Sequence, residues 1–471
     1  MLKRTMLSWA VALISTVAFA DIRLPNVLAS NMVLQQKSDV KLWGWAGPTE
    51  RVIITTSWDN KSDTVVASRD ANWNITVHTP AAGGPYTITF KGQNTIVLDN
   101  VMLGEVWVCS GQSNMEWSSH QQIQQIIDEI PNSANTNIRL FNIPKTTSTS
   151  PQDNVAGEWK TCDPASLPGF SAVGYFFGKK LQSELNVPIG LISANWGGTA
   201  AEVWTPAGIV ENNAALKQAA EKLEPAAWWP YRPGSAYNGM ISPLTNFAVS
   251  GVIWYQGESN VTTSNTYSQL FTDMIGAWRT AWNKELPFYY VQIAPFNYQY
   301  SNTAALLREQ QLKSLSYPNT GMVVITDLVN DIKDIHPKNK RDVGIRLANM
   351  ALGETYKKDM ATPYKSPLFR SMEIKGSKAI LSFDNVPNGF MVKNDKLPTE
   401  FYISGADKKF VPAIAKIEKG KITVTSKEVK EPVAVRFAFS NTAMANLFSK
   451  EGLPVSPFRT DDWEVDTTHI K

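Results

Sequence analysis

The 471-residue chain has little of the residue types that metal sites use. It contains 4 histidines and 2 cysteines, and these do not cluster at the spacing of a zinc site. This scarcity argues against a zinc enzyme of the usual type. The two cysteines, Cys109 and Cys162, can pair in an oxidising compartment or stay as buried free thiols, and the sequence leaves both possibilities open.

The chain also lacks a strong net charge. Its 45 Lys and Arg and 42 Asp and Glu give a formal charge of +3 at pH 7. Two of the basic residues, Lys3 and Arg4, belong to a segment that we expect to be removed. A near-neutral balance without a basic cluster argues against nucleic acid or an anionic membrane surface as a partner.

Apolar runs long enough to be notable are confined to the start of the chain. Lys3 and Arg4 precede an apolar stretch from Met6 to Phe19, and residues 18–20 form a small-x-small cleavage pattern. This stretch is shorter than the roughly 20 residues that span a bilayer. Residues 1–20 are therefore predicted to be a cleaved signal peptide, which indicates a secreted or periplasmic protein.

The remaining chain is long enough for several domains, and its patterning changes twice. Residues 21–102 alternate short β-type runs with turn residues, which predicts an N-terminal β-sandwich. Residues 103–360 alternate short apolar runs with helical stretches, which predicts a parallel sheet with helices on both faces. Residues 361–471 return to β-type runs, which predicts a second β-domain.

A serine follows the first predicted strand of the parallel sheet. The strand Val106–Cys109 leads through a glycine-containing turn into Ser113, and ligands in such sheets bind at the carboxyl ends of the strands. A serine presented in this way can act as a nucleophile. An ordinary α/β-hydrolase is disfavoured, because Met115 stands where the nucleophile elbow of that fold has glycine.

Two further turns follow strands of the same sheet. The strand Ile189–Ser193 leads into Gly198, and the strand Val252–Tyr255 leads into a turn that contains Gln256, Glu258 and Asn260. Glycine lets the backbone approach a ligand and present its N–H groups, while side-chain amides are further donors. These turns can therefore supply the donors that bind an oxyanion.

Among the four histidines, His336 is the best-placed general base. It follows the predicted strand Met322–Thr326 and precedes the last predicted helix. His78 lies in the N-terminal β-region, His120 in a polar stretch and His469 near the C-terminus. Serine, histidine and oxyanion donors at one edge of a sheet are the components of acyl-transfer chemistry.

These residues stand in motifs that resemble those of the sialate O-acetylesterase family, a branch of the SGNH (GDSL-like) hydrolases. The resemblance runs through most of residues 22–360. It rests on five motifs in the order of the family: residues 104–115 (GEVWVCSGQSNM), 195–199 (NWGGT), 237–241 (YNGMI), 254–260 (WYQGESN) and 334–337 (DIHP) with Lys340.

The resemblance implies a flavodoxin-like SGNH domain flanked by β-domains. It also implies hydrolysis of O-acetyl esters of sialic acids, with the 9-O-acetyl group as the expected target, and no metal or organic cofactor. Carried over position by position, it implies that Ser113 is the nucleophile and His336 the base. The backbone N–H groups of Ser113 and Gly198 would bind the oxyanion, together with a side-chain amide of Gln256 or Asn260.

The chain departs from the family pattern at the acid of the triad. SGNH enzymes commonly place Asp three residues before the histidine, where this chain has Lys333. Asp334 is the nearest carboxylate in sequence, and Glu258 is a rival that related carbohydrate esterases favour. Asp331, or a plain Ser–His dyad, is a further alternative. The sequence leaves this choice open.

The sugar is also open, because an acetylxylan esterase or another polysaccharide acetylesterase would use the same triad. The wall of the substrate pocket could contain the aromatic segment 228–232 (WWPYR), in particular Trp229. One of Arg279, Arg308 and Arg346 could hold the carboxylate of a sialic acid. A sugar-binding protein without catalysis is an alternative of another class. The sequence does not predict the oligomeric state.

Overall fold

The computed structural model describes residues 21–469. The predicted signal peptide, residues 1–20, lies outside the described residues. Within that described range, no helix has both the length and the apolar character needed to cross a membrane.

The N-terminal region is built from short strands whose apolar side chains alternate between its faces. Strand β2 pairs with β5, and β3 lies between β4 and β6, in each case antiparallel. These are the β-sheets that the sequence predicts for this region. The strands are β1 (Val33–Gln35), β2 (Ser38–Trp45), β3 (Arg51–Thr56), β4 (Ser62–Val66), β5 (Asn72–Thr79), β6 (Gly83–Lys91) and β7 (Thr95–Gly111).

Strand β7 is 17 residues long and belongs to both the N-terminal and the central region. Its first part pairs antiparallel with β6, and its last seven residues pair with strands of the central sheet. The predicted domain boundary between residues 102 and 103 falls inside this strand. The nucleophile strand is therefore anchored at its start by the N-terminal region.

The central region is an α/β unit. Its strands are β8 (Asn135–Asn142), β9 (Trp159–Cys162), β10 (Ile189–Asn195), β11 (Gly251–Tyr255), β12 (Phe288–Val291) and β13 (Thr320–Val323). Its helices are α1 (Ser113–Glu116), α2 (Gln124–Glu129), α3 (Ala172–Leu185), α4 (Ala207–Glu211), α5 (Ala214–Ala220), α6 (Tyr267–Trp282), α7 (Thr303–Lys313) and α8 (Lys340–Glu354). Shorter 3-10 and π turns cover Ser119–Gln121, Ile130–Asn132, Ala201–Trp204, Tyr237–Ile241, Ser242–Leu244, Glu258–Thr266 and Ser314–Ser316.

The order of the central strands creates a binding crevice. The sheet runs β13-β12-β11-β7-β10-β8-β9, and every pair is parallel except β8 with β9. Leaving out β8 and β9, which the sequence did not predict, the order is the 2-1-3-4-5 of flavodoxin-like folds. The strand order reverses at β7, because β10 lies on one side of it and β11 on the other. A crevice is therefore expected at the carboxyl ends of β7, β10 and β11.

The two faces of the sheet bury different side chains, as the alternation along a strand requires. Val106 and Val108 of β7 pack on the side of α6 and α7, whereas Trp107 and Cys109 pack on the side of α3 and α8. Cys109 and Cys162 are both buried free thiols, and burial raises the pKa of the Cys109 thiol. The disulfide that the sequence left open does not form.

The C-terminal region has a core of its own. It is a β-region, as predicted, and its strands pair antiparallel. The two larger sheets have the orders β14-β15-β20-β19 and β18-β17-β21-β23. The strands are β14 (Leu368–Lys375), β15 (Lys378–Asp384), β16 (Phe390–Val392), β17 (Phe401–Ser404), β18 (Val411–Pro412), β19 (Ile414–Glu418), β20 (Lys421–Thr425), β21 (Ala434–Phe437), β22 (Leu447–Ser449) and β23 (Phe458–Arg459).

Gly111, the last residue of β7, is a position where the fold requires glycine for two reasons. Its φ is +134°, and a Cβ there would lie 2.2 Å from the carbonyl oxygen of Tyr255. We predict that Gly111→Ala lowers the free energy of unfolding by at least about 1–3 kcal/mol, because the positive φ alone costs that much and the contact with the Tyr255 carbonyl adds to it. Gly208→Ala in α4 is the matched control, because its Cβ would meet nothing nearer than 3.9 Å. Equal urea midpoints for the two variants would contradict this prediction.

Candidate active site

Ser113 stands directly beyond the crevice edge of the sheet. It is the first residue of α1, two residues after the turn at Gly111. Its Oγ lies 2.9 Å from Nε2 of His336, within hydrogen-bond distance. The structure thus brings the predicted nucleophile and the predicted base together, although 222 residues separate them in the chain.

His336 lies in the segment that connects β13 with α8. The ring of Trp117 stacks on its imidazole, with 3.9 Å between the centroids and 21° between the planes. Burial and the nearby charge of Lys340 lower the pKa of His336 to about 4, while Asp334 acts in the opposite direction. The imidazole is therefore neutral at neutral pH and can accept the hydroxyl proton.

Asp334 is the carboxylate nearest to the far side of the imidazole. Its Oδ1 lies 3.7 Å from Nδ1 of His336 and accepts the backbone N–H of His336 at 2.9 Å. The first distance is longer than a hydrogen bond, so the contact is electrostatic in this structure. Asp331, the further alternative for the acid of the triad, accepts the backbone N–H of Lys333.

Glu258 lies behind the serine and does not contact the imidazole. It is buried, and its Oε1 accepts the amide of Asn114 at 2.6 Å. Its Oε2 has no partner among residues 21–469, and burial raises the pKa of this carboxyl. The geometry thus favours Asp334 over Glu258 as the group that orients His336.

The backbone donors expected for an oxyanion are available. In the described part of the chain, the N–H groups of Ser113 and Gly198 donate to no protein acceptor. Gly198 has a φ of +80°, and a Cβ there would lie 2.3 Å from the ring of Trp229. Ser259 holds this turn by donating its hydroxyl to the Gly198 carbonyl at 3.0 Å. Only glycine fits here.

The two side-chain amides predicted as further donors are committed elsewhere, so the structure contradicts that expectation. Gln256 is fully buried and donates to Asn260 Oδ1 at 2.7 Å and to the Thr199 carbonyl. Asn260 donates in turn to Glu202 Oε2 at 2.8 Å. Both amides support the Gly198 turn from behind, through buried hydrogen bonds that the sequence does not reveal.

Of the two residues predicted to contact the substrate, Trp229 lies at the site and Arg308 does not. Trp229 packs against Gly198 and lines a cleft of about 280 Å³ beside it, together with Pro230, Tyr231 and Ser259. Arg308 is buried in α7 and donates to the carbonyl of Ser440 in the C-terminal region. The prediction that Arg308 binds substrate is wrong, because its guanidinium joins two regions of the fold.

The other two arginines are also structural. Arg279 donates to the carbonyls of Leu286 and Pro318, and Arg346 forms a bidentate ion pair with Asp327 at 2.7 Å. Neither guanidinium is available to a ligand carboxylate. The position of an arginine on a predicted helix therefore did not indicate whether it binds substrate.

The remaining histidines lie outside the crevice. His78 of β5 makes an exposed contact with Asp39 of β2, and His469 lies against the ring of Tyr300. His120 is exposed on a 3-10 turn.

Four residues of the site were not assigned roles from the sequence: Asn114, Trp117, Lys222 and Lys340. Trp117 follows the nucleophile by one helical turn, a spacing that places two side chains on one face. Asn114 and Lys340 belong to the motifs that carry the family resemblance, which marks their positions but not their contacts. Lys222 lines the cleft beside Gly198, and no sequence signal pointed to it.

Known proteins share this architecture. A family model described as carbohydrate esterase, sialic acid-specific acetylesterase, matches residues 103–353, more than half of the chain. Sialate O-acetylesterases of Homo sapiens and Pongo abelii are each 28% identical over 398 residues, covering 76% of this chain and 76% of theirs. The crystal structure of a carbohydrate acetylesterase from Xanthomonas citri is 38% identical with a TM-score of 0.85, covering 94% of this chain and 100% of that one.

The identity of the orienting acid can be tested with two isosteric changes. Asp334→Asn keeps the acceptor for the His336 N–H but removes the charge beside the imidazole, and Glu258→Gln keeps the acceptor for Asn114. We predict a kcat loss of roughly ten- to a hundredfold for Asp334→Asn and a smaller loss for Glu258→Gln, at unchanged melting temperatures. A larger loss in Glu258→Gln would contradict the assignment, and near-normal rates in both would indicate a dyad.

Proposed function

This chain belongs to the carbohydrate esterase family of sialic acid-specific acetylesterases and is a carboxylic ester hydrolase, and we propose that it removes O-acetyl groups, the 9-O-acetyl group first, from sialic acids. The observation that carries the proposal is the 2.9 Å contact between Ser113 Oγ and His336 Nε2. The free N–H groups of Ser113 and Gly198 lie on the turns beside it. No step requires a metal ion or an organic cofactor.

The reaction follows from these groups. His336 takes the hydroxyl proton as Ser113 Oγ attacks the acetyl carbonyl carbon, and the oxyanion is bound by the two backbone N–H groups. Each such donor typically contributes about 3 kcal/mol to transition-state stabilisation. The bond to the sugar oxygen then breaks, and His336 returns its proton to that oxygen. Water, deprotonated by His336, then attacks the acetyl-enzyme. The bond between the acetyl carbon and Ser113 Oγ breaks, acetate leaves, and His336 returns the proton to Ser113 Oγ.

The space beside the oxyanion donors supports a short acyl group. Because the ring of Trp229 packs directly on Gly198, little room remains on that side for an acyl chain longer than acetyl. The cleft beyond this contact is open, and its aromatic residues offer flat apolar faces to a sugar ring. The leaving group is therefore proposed to bind in this cleft.

A cation in the same cleft supports an acidic sugar. Lys222 lines the cleft with Glu224 and makes no ion pair within the described range 21–469. Since Arg279 and Arg346 are engaged elsewhere and Arg308 is buried and does not line the cleft, Lys222 is the group that we propose to bind the sialic acid carboxylate. A lysine contributes this contact as a point charge, without the bidentate geometry of arginine.

A neutral polysaccharide is the second candidate substrate. The 38% identical relative is described as a carbohydrate acetylesterase without reference to sialic acid. Trp228 is 80% exposed next to Trp229, and an exposed tryptophan suits a glycan chain that extends beyond one sugar. The arrangement of Ser113 and His336 disfavours a sugar-binding protein without catalysis.

The two candidates are separated by measuring acetate release from 9-O-acetylated sialic acid and from acetylated xylan in parallel. We expect the higher kcat/KM for the sialic acid, and we expect Lys222→Met to raise KM for that substrate but not for p-nitrophenyl acetate, which has no carboxylate. Ser113→Ala is the inactive control. A higher kcat/KM for acetylated xylan, together with an unchanged KM in Lys222→Met, would contradict the sialate proposal and indicate a polysaccharide acetylesterase.

We further propose that the protein acts in the periplasm or outside the cell, because residues 1–20 have the charge, apolar stretch and cleavage pattern of a signal peptide. N-terminal sequencing of the protein recovered from its native host tests this, and an intact Met1 would contradict it.

A further inference from the structure

The residue directly after the nucleophile connects the three segments of the site. Asn114 is fully buried. Its Nδ2 donates to Glu258 Oε1 at 2.6 Å and to the Ile335 carbonyl at 3.1 Å, and its Oδ1 accepts from Lys340 Nζ at 2.5 Å. One amide thus joins the serine turn, the 3-10 helix that begins at Glu258 and the segment that carries His336.

The partners of this amide determine its orientation. A carboxylate and a carbonyl only accept hydrogen bonds, whereas an ammonium group only donates. Of the two orientations related by a half-turn, a single one therefore satisfies all three contacts. Two of the contacts involve charged groups, and charge-assisted hydrogen bonds are roughly twice as strong as neutral ones.

The two charges are buried on opposite sides of the amide. Lys340 is fully buried and Glu258 nearly so, and each would be costly without a partner. Lys340 also lies 5.4 Å from the ring centroid of Tyr255 and 5.7 Å from that of Trp117. The lysine is enclosed by the same aromatic ring that stacks on His336.

We propose that Asn114, with Glu258 and Lys340 on its two sides, is a positioning unit that holds His336 against Ser113, and that the buried ammonium group of Lys340 opposes protonation of the imidazole. We call these three residues the Asn114 clamp. The inference rests on the proposed esterase function, in which His336 is the base.

The clamp acts on His336 through the backbone. It fixes the carbonyl of Ile335, the residue immediately before the histidine, while Asp334 fixes the histidine N–H. Trp117 then restricts the ring plane. An error of about 1 Å in such a group can cost on the order of a hundredfold in rate, so losing the Ile335 contact is expected to lower kcat.

Burial and several charged groups around the imidazole together determine the pH at which His336 is protonated. Asp334, Lys338 and Lys340 face it from its own segment, and Glu258 faces Lys340 across the clamp. Tyr255 faces Lys340 from β11 as a neutral phenol. Burial and the charge of Lys340 lower the pKa of His336 to about 4. Burial lowers the pKa of Lys340 to about 7 against the opposing effect of Glu258.

The charge of Lys340 shifts the pH dependence of activity in one direction. At pH 4–6 Lys340 carries its charge and opposes protonation of His336, so the base stays neutral. Removing that charge raises the pKa of His336, and the fall of kcat/KM on the acid side then begins at a higher pH. If the clamp acted only by positioning His336, removing Lys340 would lower kcat/KM but leave the pH of its acid-side fall unchanged.

The test compares Lys340→Met with Lys338→Met. Both remove a positive charge near Asp334, but Lys338 is half-exposed and makes no contact with Asn114. We expect the acid limb of kcat/KM for p-nitrophenyl acetate to move up by about one pH unit in Lys340→Met. The shift in Lys338→Met should be smaller, because solvent screens its charge. Lys340→Gln, whose amide can still donate to Asn114, is the alternative if Lys340→Met does not fold.

The positioning role is tested with Asn114→Ala. We expect kcat to fall at least tenfold with little change in KM, because the base is misplaced while the sugar cleft is untouched. The pKa of His336, read by NMR in these variants, reports the electrostatic effect independently of activity, and only four histidines need be distinguished.

The outcomes separate the two proposals. A folded wild-type protein that hydrolyses no acetyl ester would overturn the proposed function. An active wild type whose acid limb and His336 pKa are the same in the folded Lys340 variants would overturn the electrostatic part of the clamp. Wild-type kcat in Asn114→Ala would overturn the positioning part.

Discussion

The parallel register at the end of β7 is the constraint on which the site depends. Gly111 pairs with Asn195 of β10 on one side and with Tyr255 of β11 on the other. Three strands therefore end at the same level, and the turns that follow them carry Ser113, Gly198 and Glu258. The backbones approach so closely at Gly111 that no Cβ fits. The N-terminal region contributes by holding the first half of the same strand, so it is part of the scaffold of the site.

Buried charge is the second organising feature of the site. A partly buried histidine that faces a lysine stays neutral, which suits a general base. The carboxylate that would pair with this lysine reaches it only through the Asn114 amide. The arrangement assigns different tasks to the two carboxylates that the sequence could not distinguish: Asp334 lies beside the imidazole, and Glu258 balances charge behind the serine.

Local patterns predicted the fold well, because periodicity and turn residues report directly on strands and helices. The helical stretches that the sequence predicts within residues 103–360 are present, and α3 (Ala172–Leu185), with its apolar residues at helical spacing, is one of them. Ser113 and His336 could be predicted because each follows a strand of one sheet. Gln256, Asn260 and Arg308 could not, since whether a polar side chain faces a ligand or a buried partner depends on tertiary contacts between distant segments. Strands β8 and β9 were missed because they carry few apolar residues in regular alternation.

The central claim is that Ser113, activated by His336, forms an acyl-enzyme. The most direct measurement is reaction of the folded protein with a fluorophosphonate probe, followed by mass spectrometry of the labelled peptide. The account predicts one label per chain, on Ser113, and loss of labelling in His336→Ala with the fold retained, because the hydroxyl then lacks its base. Labelling of another residue, or undiminished labelling in His336→Ala, would contradict it.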